Sequence, residues 1–466
     1  MFKKFIYLGV LALAITACSD MKIANDSAVD ALEVSVDVIS EEMAVVRDYI
    51  PAFAVAAHRG STFWVPEETE AAYRWAREIG ADYLEADLQV SKDGVLLSLH
   101  DDDLSRTTDI EVIYGEYVPS TRAQYYMDLG YSESEANEKV VADKASFIPY
   151  YASFYTYSEL LALDAGTWFN DANPEQARDA FSSERQYIST LQDMIMYSKG
   201  KRLKRDENGD RVWEILGIKT GETVSSLSGE ADVVEYYFEY EDDDVWSGNV
   251  PGLYLEFKAP WLCPGDFEER VYDELAKYDM NIIESPADGI ANYVDNKVNV
   301  GNANGKVILQ TFSFSSLVRV DQNFKGQVPM CLLLWESTDD IQTALGFASY
   351  INLAVQYNAH IIGPSIAGEP NNYSELNAPW QAYLIKKAGL LNHPYSFDTL
   401  DQMKQYFGEW YDGVTGGTVY EAPYFDGLFT NRAEVTLQYL IDAGVREAGA
   451  PTTVPDSKSL LDSLGY

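Results

Sequence analysis

Eight short apolar runs, each parted from the next by a stretch long enough to hold a helix, constrain this chain more than any other feature. They read FAVAA (53–57), YLEADL (83–88), LYLEF (253–257), VILQTF (307–312), MCLLLW (330–335), HIIGP (360–364), GLLNHP (389–394) and DGLFT (426–430). Short Val/Ile/Leu-rich runs alternating with amphipathic helices mark a parallel sheet, whose strands are buried on both faces. Their number favours closure into a (β/α)8 barrel over an open doubly wound sheet, with residues 51–466 forming one barrel domain.

The segment VPEETEAAYRWAREIGAD supports this reading. Pro66 suits the first helical position, Glu67 and Glu68 the positive end of a helix dipole, and Gly80 the stop. Ala72, Trp75, Ala76 and Ile79 recur at i, i+3, i+4 and i+7, a stripe that packs on a sheet. One run breaks the rhythm. VLLSLH (95–100) follows YLEADLQV after only SKDG, too short for a parallel crossover, and is therefore a hairpin partner turned at Asp93 and Gly94. A two-residue turn there sets His100 directly opposite Asp87, on the face of Glu85. Residues 102–165 and 200–250 carry no obvious barrel strand and are read as insertions over the C-terminal, catalytic face, with a barrel helix in SERQYISTLQDMIMYSK between them. The basic run at 201–205 reads better as a solvated charged turn than as a phosphate patch.

A formal net charge of −40 repels phosphate backbones, so nucleic acid is a poor partner and any phosphate chemistry needs its own local positive charge. At the N-terminus Lys3 and Lys4 precede FIYLGVLALAI, too short for a membrane span, and then Thr16, Ala17 and Cys18. Small residues ending at a cysteine resemble a bacterial lipoprotein signal. On that reading residues 1–17 are the signal peptide, Cys18 carries the lipid, and residues 18–50 tether an exported protein to a bacterial membrane, periplasmic or at the cell surface. A plain signal peptide is the alternative. Cys263 and Cys331 are either bridged or two free thiols.

Side chains at the C-terminal ends of barrel strands converge on one rim. His58 and Arg59 end the first strand, Glu85 and Asp87 the second, and Glu256 and Lys258 share a face at the end of LYLEFK; His100 returns on the hairpin. Three carboxylates suit a hard cation such as Ca2+ or Mg2+. Arg59 and Lys258 suit phosphate oxygens, and two histidines suit a general acid and base near neutrality. The set describes metal-assisted phosphoester cleavage. His360 opens its strand, away from the chemistry, and is structural; His393 closes LLNHP at the active rim and is a candidate for touching substrate.

AHRG, PEET, GADYLEADLQVSKDGVLLSLHDDDLSRTTD and YLEFKAPW resemble the glycerophosphodiester phosphodiesterase family, and VILQTFSFSSL, IIGPS, LLNHPYSF and DGLFTNRAE resemble its periplasmic branch in the same order. The resemblance implies a divalent metal, Ca2+ or Mg2+, at Glu85, Asp87 and Glu256, acid/base roles for His58 and His100, and Arg59 and Lys258 near the phosphate of a small-molecule glycerophosphodiester. The products are then glycerol 3-phosphate and an alcohol. The chain departs from the family pattern at Glu68, usually Asn or His, at Asn431 and Ala433, usually Asp and Pro, and in the length of residues 200–250. Two alternatives stand beside this reading. One is a phosphodiesterase for lysophospholipid or phosphoinositide headgroups, if the insertions form an apolar funnel. The other is a surface-binding lipoprotein that keeps the barrel without the chemistry. The oligomeric state is open.

Overall fold

The structure, a computed structural model, describes residues 30–336, 339–409, 414–415 and 418–466. The expected signal peptide and Cys18 lie outside the described residues. In chain order the strands used below are β1 (Ala54–Ala57), β2 (Tyr83–Val90), β3 (Leu96–Ser98), β4 (Trp213–Ser226), β5 (Gly229–Phe238), β6 (Gly252–Phe257), β7 (Val307–Thr311), β8 (Met330–Leu334), β9 (Ile361–Pro364), β10 (Leu391–Asn392) and β11 (Gly427–Thr430). Eight of them run side by side in the order β10, β9, β8, β7, β6, β2, β1, β11. The ends meet where Asp426 N donates to Asn392 O (2.8 Å) and Phe429 N to Pro394 O (3.1 Å). The result is a nearly closed (β/α)8 barrel in which each of the eight apolar runs supplies a strand.

Alternation along these strands separates two cores. Ala54, Ala56, Tyr83, Tyr254, Ile308 and Phe429 pack together inside the barrel, whereas Val55, Leu84, Leu253, Leu255, Leu309 and Leu332 join the core under the helices. Two residues further along the inner face the chain changes character: Ala56 leads to His58, Tyr83 to Glu85 and Asp87, Tyr254 to Glu256 and Lys258, and Ile308 to Gln310. The upper layer of the barrel is therefore polar, resting on an apolar plug.

Four details differ from the sequence expectation. The tether across 18–50 is packed protein from about Ala31 onward. Ala31, Val36, Met43, Val46 and Ile50 are buried, Ser40 caps the helix Glu41–Arg47, and Arg47 Nη1 donates to Gly389 O (2.8 Å). The helix after β1 starts at Glu70, capped by Thr69. Pro66, Glu67 and Glu68 precede it, because Glu68 adopts φ 58° and cannot continue a helix.

The hairpin register is one residue off the expected one. Leu88 pairs with Ser98 and Gln89 with Leu97, and Leu99 N donates to Asp87 O (2.7 Å), so Leu99, and not His100, stands opposite Asp87. The cause is a three-residue loop, Lys92 to Gly94, closed by Ser91 N donating to Val95 O (2.9 Å). Gly94 supplies φ +87°, and the buried Asp93 carboxylate accepts from Ser91 Oγ, Tyr125 OH, Tyr236 OH and Tyr157 N. The last three come from the insertions, beyond the reach of local turn preference.

The insertions wrap this hairpin and the first barrel helix. Lys92 Nζ meets Asp143 Oδ1 (2.9 Å), Arg74 and Arg77 both bind Asp243, and the tip of the β4–β5 hairpin reaches the loop after β6, where Leu227 N donates to Leu262 O (2.8 Å). Of both insertions only Asp102 lines the cavity at the barrel mouth. The basic run is neutralised across strands, Lys201 by Asp242 and Arg202 by Glu241. Cys263 and Cys331 are free and buried.

Candidate active site

After β1 the backbone makes a tight left-handed turn through Arg59 (φ 51°), Gly60 (φ 84°) and Ser61 (φ 71°). Gly60 is obligatory, because a Cβ there would lie 2.4 Å from that of Ala72 on the first barrel helix. The turn delivers His58 and Arg59 to the mouth. Alongside, β2 and β6 pair Asp87 with Glu256, and β6 and β7 pair Glu256 with Gln310. This register gathers Glu85, Asp87 and Glu256, all buried, with one oxygen from each lying within 4.8 Å of the others.

Three buried carboxylates so close cannot all ionise freely. Burial, reinforced by the Asp87 charge, holds Glu85 well above the usual range. Burial also raises Glu256 to about 8, with Lys258 opposing and Asp87 assisting. Burial works against Asp87 too, yet Lys258, His100 and Arg59 outweigh it and hold Asp87 well below its ordinary value. Asp87 Oδ2 accepts no hydrogen bond. A buried all-oxygen set with an unsatisfied acceptor fits a hard divalent cation.

Cations of the chain surround the cluster. Arg59 Nε lies 3.2 Å from Asp87 Oδ2 while its backbone N donates to Glu85 Oε2 (2.7 Å). Lys258 Nζ stands 3.4 Å from both Asp87 Oδ1 and Glu256 Oε1. Two supports are invisible to the sequence reading as site residues. Gln310 Nε2 donates to Glu85 Oε1 (2.9 Å); its signal is a polar residue at an inward position of an apolar strand. Glu68 accepts from Asp87 N (2.9 Å), and burial followed by the Asp87 charge raises its pKa well above the ordinary range.

Both predicted histidines line the mouth, with different companions. His58 Nδ1 lies 2.7 Å from Asn431 Oδ1, and burial, then the Arg59 charge, pushes its pKa down to about 3. His100 Nδ1 lies 2.5 Å from Asp101 Oδ1. Asp101 is in turn gripped by Arg106 Nε, and Arg106 Nη2 donates to Glu67 Oε1 (2.5 Å). Despite the shifted register His100 stays at the rim, because Gln89 Nε2 binds the carbonyls of Leu99 (2.8 Å) and His100 (3.3 Å).

His393 does not line the mouth. Its strand is only two residues long, and its ring drops into the barrel interior, filling the space left by Gly427 near Tyr254 OH (3.4 Å from Nδ1). Its assignment to substrate binding is therefore corrected to a packing role. His360 is buried and accepts from Met330 N (3.2 Å), a structural residue.

The mouth opens into a cavity of about 590 Å3. Beyond the charged residues its wall is aromatic and aliphatic: Trp261, Phe312, Leu333, Trp335, Tyr373 and Tyr395. Trp261 and Trp335 stand at the edge, 69% and 54% exposed.

Residues 58–245 match the model of the glycerophosphoryl diester phosphodiesterase family, a span that contains His58, Arg59, Glu85, Asp87 and His100. The glycerophosphodiester phosphodiesterase of Bacillus subtilis (strain 168) is 25% identical over 360 residues, covering 77% of this chain and 80% of that protein. Over residues 58–245 the chain is similar to the glycerophosphoryl diester phosphodiesterase family. A mouse protein named glycerophosphoinositol inositolphosphodiesterase shares 28% identity over 156 residues, 32% of this chain and 23% of that one. Among solved structures, an Oleispira antarctica phosphodiesterase in complex with the product sn-glycerol-3-phosphate aligns at a TM-score of 0.45 and 15% identity, covering 84% of this chain and 97% of that one. Glu256 and Lys258 lie beyond the span matched by the family model; their place in the site comes from the pairing of β6 with β2.

Proposed function

We propose that this protein hydrolyses glycerophosphodiesters to glycerol 3-phosphate and an alcohol, with Ca2+ or Mg2+ held by Glu85, Asp87 and Glu256. The observation that carries the reading is the convergence of that buried carboxylate set, two cations and two differently partnered histidines at one barrel mouth. A hard cation held by Glu85, Asp87 and Glu256 would neutralise phosphate charge and favour ionisation of the attacking hydroxyl. Arg59 and Lys258 hold phosphate oxygens. His58 takes a proton from the attacking oxygen, of water or of the neighbouring glycerol hydroxyl, and His100 gives one to the departing alkoxide. Over the whole reaction one water is consumed, its parts ending on the phosphate and the alcohol.

The test is release of glycerol 3-phosphate from a panel of glycerophosphodiesters, after chelation and after return of Ca2+ or Mg2+. Glu85→Gln and Asp87→Asn should abolish activity with the fold intact. Full activity after exhaustive chelation overturns the metal.

A second reading, cleavage of a lysophospholipid, is favoured by the aromatic cavity wall and its exposed Trp261 and Trp335. That wall comes from Leu333 on β8 and from the loops after β6 to β10, so the apolar surface does not depend on the insertions. Lysolipids in the same panel decide between the two.

The reading extends to location: an exported protein anchored to a bacterial membrane through lipidated Cys18, supported by the pattern of residues 3–18. Among the described residues no helix is long and apolar enough to cross a membrane. Cys18→Ala should release the protein from the membrane fraction or leave the signal uncleaved; a variant processed and fractionated like wild type overturns the anchor.

A further inference from the structure

Resting on the reading of His58 as the base, we infer that Asp398 and Asn371 are positioning residues that set the tautomer of His58, leaving Nε2 as its bare nitrogen. The argument starts from a group whose role is not interchangeable, the backbone carbonyl of Ser396, which only accepts. Asn371 Nδ2 donates to it (2.8 Å) and to Ser396 Oγ (3.0 Å). Those bonds orient the Asn371 amide, and the same nitrogen donates to Asp398 Oδ2 (2.9 Å). The other carboxylate oxygen, Oδ1, accepts from Asn431 Nδ2 (2.9 Å).

With its nitrogen committed to a carboxylate, Asn431 can only turn its oxygen to His58, 2.7 Å away. A flipped amide would set an oxygen against the Asp398 carboxylate, two acceptors with no proton between them. His58 Nδ1 must then carry the hydrogen, and Nε2 is left free to take a proton. Four successive loops, after β9, β10, β11 and β1, thus pass one orientation around the mouth. Asn431 N donating to Phe397 O (3.0 Å) and Asp398 N donating to Gln402 Oε1 (2.8 Å) hold the two middle members in place.

The closing experiment is a suppressor test with a spectroscopic arm. Asp398→Asn should lower kcat on a glycerophosphodiester about tenfold with KM unchanged, because the new amide no longer dictates which way Asn431 points. Adding Asn431→Asp should restore most of that loss, since a carboxylate offers an acceptor on either oxygen and needs no orienting partner. A double variant as slow as the single one overturns the inference, as does an unchanged kcat in Asp398→Asn. In the wild-type protein labelled with 15N-histidine, the ring signals lost in His58→Gln should show a protonated Nδ1 and a bare Nε2. A protonated Nε2 overturns the relay whatever the activity. The expected tautomer in a protein that cleaves no glycerophosphodiester would leave the relay standing and sink the activity.

Discussion

The two histidines of the mouth share a cavity but not an environment. His100 faces a carboxylate, Asp101, backed by Arg106 and Glu67; His58 faces a neutral amide, Asn431, backed by Asp398. A carboxylate beside an imidazole stabilises the protonated ring, whereas an amide oxygen orients the ring and adds no full charge. Burial opposes ionisation of Asp101, but its hydrogen bonds from His100 and Arg106 keep that carboxyl well below the usual range. Burial and Arg59 keep His58 neutral. One ring is backed by a charged network and the other by a neutral amide. On the proposed mechanism, what separates the acid from the base is the side chain behind the ring.

The largest expected effect breaks or keeps that division outright. His58→Ala should be crippled on a natural diester and on a nitrophenyl diester alike. His100→Ala should lose about 10²–10⁴-fold on the natural substrate and recover much of it on the nitrophenyl one, whose leaving group needs no proton. The reverse pattern swaps the roles; equal losses everywhere remove both from leaving-group chemistry. Next in size, Asp101→Asn should lower kcat by about 10–100-fold on the natural diester and far less on the nitrophenyl one. Equal losses on both would make Asp101 a purely structural partner.

A smaller effect concerns stability. Glu256 sits at about 8 in the fold against an ordinary 4.5, and Glu85 is raised in the same direction. Between those values the folded state binds more protons than the unfolded chain, so stability is full below pH 4.5 and falls as pH rises towards 8. Asp87, held low, acts in the opposite sense only below its ordinary 3.8, and the buried His58, His360 and His393, lowered to about 3, 4 and 3, act in the opposite sense only up to their ordinary 6.5, so the fall is read above that value. The melting temperature of metal-free protein should therefore drop between about pH 6.5 and pH 8, and saturating Ca2+ or Mg2+ should flatten the slope. A flat metal-free profile would remove the shared-proton picture of the cluster. Smallest of all, Gly94→Ala places a side chain at φ +87°, 3.2 Å from Val233. It should cost about 1–2 kcal/mol, read as a lower melting temperature, with kcat unchanged. A fall in kcat would mean that the hairpin tip governs the position of His100.

The strands, their number and the rim set His58, Arg59, Glu85, Asp87, His100, Glu256 and Lys258 are legible in the sequence because each depends on local pattern: period-two burial, strand ends, and charge where apolar alternation stops. Other features are not. The one-residue shift of the β2–β3 hairpin follows from Asp93 being held by tyrosines of both insertions. The place of Glu68 follows from a left-handed backbone set against Asp87. His393 moves from the rim to the interior because β10 is short and Gly427 leaves room for a ring.

By itself, then, the order of residues determines which strands form and which polar groups reach the barrel mouth, since both depend on neighbours within a few positions. Only the tertiary structure decides which histidine meets a carboxylate and which an amide, and which nitrogen is left bare. Asp101 adjoins His100 in sequence, but Asn431 lies 373 residues from His58, and a hydrogen bond acts over a few ångströms of space, whatever the length of chain between its ends.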